Sequence, residues 1–400
     1  MVIDFSVQNF RSINEIQTIS FSDKLKVRNK NSIFTSVGIF GPNGSGKTNI
    51  MKAFNLFLQA MRQEPKTFPS LFELHQPFAF SENSWNEPSF FQIIFIIDKV
   101  KYRYGFTVKN YMNDSVQMQK IQEEWLFFYD NDKSYPIFLR ENNILKTYNN
   151  LNSNNYPPIA HEHILYLSHV SAYDKSSICY RILKYFNSNT YYNDATTNEN
   201  LRIFTLQLIE KGEKLGVLNM LEDFGINFHD IDLDRDTPLV YNQIYPASKI
   251  ETIQKLSNRI VKMNLENNES SGTIRLFDII GVLYKIFNNK EESSLLILDE
   301  IDNDFHPFLV LKFINMFNSP HLNKTNSQIL FSSHETHIMT EGKMSKYQFY
   351  LTEKNNYTYS TKYYSLGAFK GIKDYGDFTR KYLLGLFGGL PFLRNSSDEN

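Results

Sequence analysis

A glycine-rich segment near the amino end of the chain reads Gly41-Pro42-Asn43-Gly44-Ser45-Gly46-Lys47-Thr48. It matches the pattern G-x-x-x-x-G-K-[ST], in which backbone N–H groups surround phosphates, the lysine reaches the outer phosphates and the hydroxyl residue binds Mg²⁺. That pattern requires a buried strand before it and a helix after it. The apolar run 33–40 and the helical pattern 49–62 satisfy both requirements. The segment therefore predicts an α/β fold of the P-loop NTPase class.

The glycines of this segment have a physical purpose, because Gly41, Gly44 and Gly46 allow positive φ angles and a close approach of the backbone to phosphates. The following helix adds unpaired N–H groups and a partial positive charge at its start. We expect Lys47 to act both in binding and in catalysis, and Thr48 to bind the metal ion. The residues predicted to contact the nucleotide here are Gly41, Asn43, Gly44, Ser45, Gly46, Lys47, Thr48 and Asn49.

Two carboxylates follow a second apolar run, Leu295-Leu296-Ile297-Leu298. Open α/β sheets bind ligands at the carboxyl ends of their strands, so Asp299 is predicted to hold Mg²⁺ directly or through water. Glu300 is then free to orient or activate an attacking water. His334 follows a third apolar strand, and we predict that it donates to the γ-phosphate. His306 and His337 lie nearby in sequence and are predicted to have supporting roles.

A fourth segment, Ser270-Ser271-Gly272-Thr273, stands at the predicted start of a helix. A helix start of this kind can bind an anion, although the same residues are also an ordinary capping sequence. The segment comes some thirty residues before Asp299, an order along the chain that favours the anion-binding interpretation.

Composition limits the class of protein. The chain has 400 residues and a net charge of -1, so no overall basic excess indicates nucleic acid. The single cysteine, Cys179, excludes a disulfide framework and is typical of a reducing, cytoplasmic compartment. The first ten residues do not resemble a secretory signal, and no apolar run reaches the length of a membrane span. We therefore expect a cytoplasmic protein without a membrane partner.

Periodicity predicts a mixed nucleotide-binding lobe over 1–140, an inserted helical region or lid over 141–265, and a return to the ATPase fold over 266–400. In the first part, alternation predicts paired strands, and in the last part strands and helices alternate as in a parallel sheet. The remaining predictions are helices over 176–224, short strands within 230–244 and an amphipathic helix over 250–265.

The four segments together resemble the ABC-type ATPases, in which a Leu-Ser-x-Gly-Gln motif binds the γ-phosphate of ATP held by the opposite subunit. This chain departs from that motif at Glu269 and Thr273. The segments 7–12 and 298–303 look less like a transporter subunit than like the chromosome-maintenance and repair branch of these ATPases. Within that branch the chain most resembles the compact bacterial AAA-type ATPases of abortive-infection and other phage-defence loci, whose endings are similar to the segment 382–391. The resemblance implies an ABC-type fold with a mixed-sheet nucleotide lobe and an α-helical lobe that bears the Ser-Gly segment.

The resemblance also implies site residues that spacing alone does not reveal. It places Arg11 near the nucleotide, Ser270 and Gly272 on the ATP of a second copy, and Asp302 in a loop at the interface between copies. Gln76 would bind the metal ion, with Gln92 as the competing candidate. Sequence alone gives Arg11 as an exposed charge and Gln76 as a surface residue. ATP and Mg²⁺ are the implied cofactors, and a homodimer or a larger oligomer is the implied assembly.

Three functions are compatible with these features. The first is a regulatory ATPase that senses phage infection and controls a separately encoded toxic effector. The second is a DNA-repair ATPase of the RecF or SMC type that binds duplex DNA, which the neutral charge and the lack of a long heptad pattern disfavour. The third is the energising subunit of a transporter, which the imperfect Ser-Gly motif disfavours.

Overall fold

The computed structural model describes residues 1–23, 33–62, 74–113, 116–142, 144–148, 151, 155–159, 161–193, 198–234, 245–341 and 343–391. The chain divides into two compact units, which are Met1–Thr190 with Lys343–Asn400, and Tyr191–Gly342. The three-part organisation predicted from sequence, with boundaries at 140 and 265, differs from this division.

The strands are β1 (Val2–Gln8), β2 (Gln17–Ser20), β3 (Ser36–Phe40), β4 (Ser89–Ile97), β5 (Val100–Asn113), β6 (Val116–Asp130), β7 (Lys133–Glu141), β8 (Ile144–Thr147), β9 (Thr190–Asn193), β10 (Asp230–Leu233), β11 (Ile250–Leu256), β12 (Arg259–Asn264), β13 (Leu295–Leu298), β14 (Gln328–Ser333), β15 (Phe349–Lys354) and β16 (Thr361–Ser365). The α-helices are α1 (Lys47–Arg62), α2 (Tyr166–Tyr173), α3 (Ile178–Asn189), α4 (Arg202–Glu210), α5 (Lys214–Asp223), α6 (Leu265–Asn268), α7 (Ser271–Asn288), α8 (Pro307–Asn318), α9 (Ile338–Glu341) and α10 (Phe378–Leu383).

The first unit contains an antiparallel sheet with the strand order β2-β1-β4-β5-β6-β7-β8. β4 and β5 form a hairpin, which confirms the paired strands predicted from alternation, and it turns at Asp98 and Lys99, whose φ angles are 50° and 66°. Two successive positive φ angles belong to the turn type that matches the twist of a hairpin. One face of the sheet packs on α1, where the Phe5 and Phe54 rings stack with centroids 4.1 Å apart. This aromatic core fixes α1, and thereby the loop that precedes it, against the sheet.

The same unit contains three further strands in the order β16-β15-β3. β15 runs parallel to β3 and antiparallel to β16. All five residues of β3 are buried, as expected for a strand covered on both faces. Because β15 is parallel to β3, the turn between β15 and β16 lies at the same end of these strands as the loop after β3.

In the second unit, β13 and β14 are parallel and α8 connects them, which confirms the predicted strand-helix-strand alternation. α7 belongs to the same alternation, and its residues from Arg275 to Leu283 are buried. Arg202 of α4 and Asp278 of α7 form a buried ion pair, with 2.7 Å between Arg202 Nε and Asp278 Oδ1. The predicted helices within 176–224 are α3, α4 and α5.

The amphipathic helix predicted over 250–265 is wrong, because these residues form the hairpin of β11 and β12. The apolar spacing at 250, 253, 256, 260 and 261 suits a helix, but the β-branched residues also suit strands, and β11 pairs with β10. The chain reverses at Ser257, whose φ is 51°. The region 141–265 is therefore mixed rather than helical. Of the short strands predicted within 230–244, β10 is observed, and residues 235–244 lie outside the described residues.

Among the helices of the described residues, none combines the length and the apolar character needed to cross a membrane.

Asn9 and His75 attach the segment 74–88 to the antiparallel sheet. Asn9 Nδ2 donates to Ser84 O at 2.7 Å, and Asn9 Oδ1 accepts from Phe78 N at 2.9 Å. Ser89 Oγ donates to Asn9 O at 2.6 Å and lies 3.0 Å from His75 Nδ1. Because the hydroxyl hydrogen of Ser89 is directed to Asn9, His75 Nδ1 is the donor in the second contact. Burial, with a smaller effect of Lys109, lowers the pKa of His75 to about 4.

This lowered pKa predicts a pH dependence of stability. Below pH 6.5 the unfolded chain binds a proton at His75, whereas the folded chain stays neutral down to about pH 4. The contribution of His75 to stability is therefore complete above pH 6.5 and is lost as the pH falls towards 4. Urea unfolding of the native protein and of His75→Gln should show a smaller loss of stability in the variant across this window.

The effect of His75 is the difference in unfolding free energy between the native protein and His75→Gln at each pH, because Asp278 titrates in the same window in both proteins. Burial raises the pKa of Asp278 to about 6, and a raised carboxyl pKa favours the folded state at low pH, in opposition to His75. If the unfolding free energies of the two proteins fell by the same amount from pH 7 to pH 4, the pH dependence could not be assigned to His75.

Candidate functional site

The predicted phosphate-binding loop connects β3 to α1 in the first unit, as the sequence motif requires. Gly44 and Gly46 have φ angles of 73° and 104°, in the left-handed region that favours glycine. A Cβ atom on Gly46 would lie 2.6 Å from Thr361 Oγ1, which is too close for any side chain. Both the conformation and the space at this position therefore require glycine.

Side chains of β16 hold the loop in this conformation. Thr361 Oγ1 lies 2.9 Å from Ser45 O and 2.7 Å from Ser12 Oγ. Tyr363 OH donates to Gly46 O at 2.5 Å. These contacts engage carbonyl groups of the loop from one side, so the loop is fixed before any ligand binds. Sequence reasoning missed Thr361 and Tyr363, because they lie more than 300 residues from the loop and belong to no motif.

Lys47, the first residue of α1, is buried, and its ammonium group lies over the loop. Its Nζ atom donates to Gly41 O at 2.8 Å and to Pro42 O at 3.2 Å. The positive end of the α1 dipole lies at the same place. Thr48 and Asn49 follow in the first turn, and Asn49 Nδ2 donates to Ser12 Oγ at 2.7 Å. The arrangement concentrates positive charge where the motif predicts phosphates.

Arg11 and Gln76, which only the family resemblance singled out, contact each other. Arg11 Nε donates to Gln76 Oε1 at 2.7 Å, and Arg11 N donates to Gln76 O at 2.6 Å. The neighbouring Ser12 contacts Asn49 and Thr361, so the pair is attached to the surroundings of the loop. The competing candidate, Gln92, lies within β4 opposite Ser6. The roles of Arg11 and Gln76 toward nucleotide and metal stay predictions.

In the second unit, Asp299 and Glu300 follow β13 directly. Asp299 is buried, and its Oδ1 atom accepts a hydrogen bond of 2.5 Å from Ser332 Oγ in β14. The same hydroxyl oxygen accepts from Glu300 N at 2.7 Å. Ser332 therefore fixes both residues to the neighbouring strand. A buried carboxylate held in this way suits a divalent cation.

Glu300 and His334 lie side by side. Glu300 Oε1 is 4.0 Å from His334 Nε2, a separation that allows one small ligand to contact both. Glu300 Oε2 accepts from Asn303 Nδ2 at 2.6 Å, and His334 N donates to Asp302 Oδ2 at 3.0 Å. Glu300 adopts a left-handed φ of 48°, an unfavourable conformation that often marks functional residues.

A buried arginine that sequence reasoning missed supports this loop. Arg275 of α7 donates from Nη2 to Glu300 O at 2.8 Å and from Nη1 to Asn303 O. Its guanidinium group lies over the ring of Phe305, 5.1 Å from the centroid. Burial lowers the pKa of Arg275, and the nearby carboxylates, Asp304 foremost, oppose that shift. The available signal was a charged residue within the apolar pattern of a predicted helix.

The Ser-Gly segment lies against the same loop. Ser270 is the N-cap of α7 and accepts from Thr273 N at 3.1 Å. Ser271 Oγ donates to Asp304 Oδ1 at 2.8 Å, and a Cβ atom on Gly272 would lie 2.5 Å from Asp304 O. Arg275 and these contacts therefore connect the start of α7 to the segment that carries Glu300. Ser270 and Ser271 are exposed, so a ligand can reach this helix start.

The two other histidines have structural roles nearby. His306 is the N-cap of α8, with its Nδ1 atom accepting from Phe308 N at 3.3 Å. His337 lies immediately before α9, where its N–H donates to Glu335 Oε1 at 3.2 Å.

The chemistry of the described residues fits magnesium bound together with a nucleotide. No group of three or more His, Cys, Asp or Glu side chains within the described ranges could hold a metal ion unaided. Magnesium in nucleotide enzymes is typically held by one or two protein groups and by the phosphates themselves. The hydroxyl of Thr48 in the first unit and, separately, the buried carboxylate of Asp299 in the second are each a group of that type.

No curated protein matches this chain. The family model described as "AAA domain, putative AbiEii toxin, Type IV TA system" matches residues 36–340, from the start of β3 to α9. The match covers the phosphate-binding loop, the Ser-Gly segment, Asp299-Glu300 and His334. The chain therefore belongs to this family of AAA-domain proteins associated with abortive infection and toxin–antitoxin systems.

Proposed function

We propose that this protein is a regulatory ATPase that binds ATP with Mg²⁺ and transfers the γ-phosphoryl group to water. The observation that carries the proposal is the fixed conformation of the phosphate-binding loop. Contacts from Thr361 and Tyr363 hold its carbonyl groups, and the Lys47 ammonium group lies over it. A loop that is already ordered loses little entropy when it binds phosphates.

Binding and metal ligation are assigned to separate groups. The loop from Gly41 to Thr48 surrounds the phosphates, and Lys47 neutralises their charge. Thr48 and Asp299 would hold Mg²⁺, which supplies further positive charge to the phosphates when bound. Gln76 is the proposed additional metal ligand, and Arg11 is proposed to lie near the nucleotide. Their mutual hydrogen bond supports a shared location.

The hydrolytic step is assigned to Glu300 and His334. Glu300 orients the attacking water and accepts its proton as the water oxygen bonds to the γ-phosphorus. The bond between that phosphorus and the bridging oxygen breaks, so ADP leaves and inorganic phosphate forms. His334 donates a hydrogen bond to the γ-phosphate. The 4.0 Å between the Glu300 and His334 side chains supports a shared ligand.

We also propose that two copies complete each ATP site. Ser270 and Gly272 of one copy would contact the γ-phosphate of ATP bound to the loop of the other. The exposed start of α7 supports this, because its N–H groups and dipole suit an anion. Arg275 would then relay the presence of the second copy to the loop that bears Glu300.

The biological role that fits such an ATPase is defence. We propose that the protein senses phage infection and controls a separately encoded toxic effector. The family description, which names a toxin of a type IV toxin–antitoxin system, supports an activity regulated through a protein partner.

The first test is the substitution Lys47→Ala. We expect ATP affinity, measured by isothermal titration calorimetry, to fall by about 10- to 100-fold, because a charged hydrogen-bond donor to the phosphates is lost. Lys52→Ala, on the same helix but outside the loop, is the control and should bind normally. The Lys47→Ala variant should also lose protection of cells against phage. Undiminished ATP affinity in this variant would refute the proposed binding site.

The second test is Glu300→Gln, which removes the proton acceptor but preserves the shape of the side chain. We expect hydrolysis to slow by about 100-fold or more while ATP still binds. Light scattering with ATP should then show an accumulated dimer. Glu291→Gln, an exposed glutamate before β13, is the matched control. Hydrolysis at the native rate in Glu300→Gln would disprove the role given to this carboxylate.

A further inference from the structure

Two exposed aromatic rings stack on each other in the first unit. Phe80 and Tyr359 have ring centroids 4.7 Å apart and planes inclined by 26°. Their side chains nevertheless remain exposed, Phe80 by 64% and Tyr359 by 46%. Each ring therefore leaves much of its apolar surface in contact with solvent. Exposed aromatic rings offer π faces on which flat ligands such as nucleic-acid bases stack.

The backbone at Tyr359 is held in an unfavourable conformation. Its φ is 58°, which is rare for an aromatic residue. The turn between β15 and β16 enforces it, because Tyr359 N donates to Asn355 O at 2.8 Å and Asn355 N donates to Ser360 O at 2.9 Å. Asn355 Oδ1 also accepts from Tyr357 N at 2.8 Å. The turn thus fixes the Tyr359 ring at a strained position, which suggests a function for the ring.

The Tyr359 ring lies close in sequence to a residue that contacts the phosphate-binding loop, and Phe80 stacks on Tyr359. Tyr359 precedes by two residues Thr361, whose Oγ1 atom lies 2.9 Å from Ser45 O. Two residues span at most about 7 Å, which is well within the length of a nucleoside triphosphate. Phe80 follows the buried Phe78, whose ring centroid is 5.7 Å from that of Phe80. The stack therefore lies within reach of a ligand whose phosphates occupy the loop.

We propose that Phe80 and Tyr359 form a stacking platform for the purine base of the nucleotide bound at the loop. The inference rests on the proposed ATP binding. It adds a binding site for the base, which the phosphate motif does not contact. A purine presents the flat π surface that such rings bind, and stacking of this kind tolerates different bases. Lys354 Nζ lies 5.6 Å from the centre of the Tyr359 ring and adds a positive charge beside the platform.

The test compares two ligands that share phosphates but differ in the base. ATP and inorganic tripolyphosphate are titrated into the native protein and into Tyr359→Ala. We expect the substitution to weaken ATP binding by about tenfold, the effect typical of losing one base–aromatic stack. Binding of tripolyphosphate should be unchanged, because the loop is intact. Phe80→Ala should give the same pattern.

Two further variants separate stacking from folding. Tyr359→Phe keeps the ring and should retain native ATP affinity. Tyr357→Ala removes a neighbouring ring that is 93% exposed in the same turn, and it should affect neither ligand. The platform would be overturned if Tyr359→Ala lost affinity for ATP and for tripolyphosphate to the same extent, or if its affinity for ATP were unchanged.

The outcome for the platform is distinct from the outcome for ATP binding itself. If the native protein and Tyr359→Ala bind ATP equally well and Lys47→Ala does not, the proposed function stands and the platform is refuted. A native protein that binds neither ATP nor tripolyphosphate refutes both.

Discussion

The hydrogen bonds from β16 to the carbonyl groups of the glycine-rich loop are the constraint on which the proposed phosphate binding depends. A loop with three glycines has many accessible conformations, and ordering it at the moment of binding would cost affinity. Thr361 and Tyr363 remove that cost by holding Ser45 and Gly46 in the folded protein. Gly46 is in turn required because the same threonine approaches it so closely. β16 follows the glycine-rich loop by more than 300 residues in the sequence, yet it holds the loop in the folded protein.

In the second unit, one buried guanidinium group has a comparable role. Arg275 contacts the carbonyl groups of Glu300 and Asn303, and it belongs to the helix that starts at the Ser-Gly segment. These contacts connect the helix that starts at the Ser-Gly segment to the backbone of Glu300. In the proposed mechanism this contact offers a physical basis for regulation, because the position of the carboxylate that would accept the proton depends on a distant residue. The left-handed φ of Glu300 shows that the surrounding contacts, rather than local preference, determine its position.

Local motifs could be predicted from sequence, and long-range partners could not. The loop from Gly41 to Thr48 and the strand before Asp299 were found because each is contiguous and has a characteristic spacing. Arg275 and the β16 residues were missed because their importance arises only from folding. The helix predicted over 250–265 was wrong because its apolar spacing is shared by a hairpin, and pairing with β10 decides the outcome. For Gln76, the family resemblance supplied a role, and the structure supplied its contact with Arg11.

The central claim is that two copies of the chain complete each ATP site, and complementation tests it most directly. Lys47→Ala disables the loop, whereas Ser270→Asp keeps a good helix cap but places a negative charge at the start of α7. Each variant alone should be inactive in ATP hydrolysis. An equimolar mixture should recover roughly a quarter of native activity, because half of the dimers are mixed and each mixed dimer has one intact site. A mixture that stays as inactive as its components would contradict a site shared between two copies.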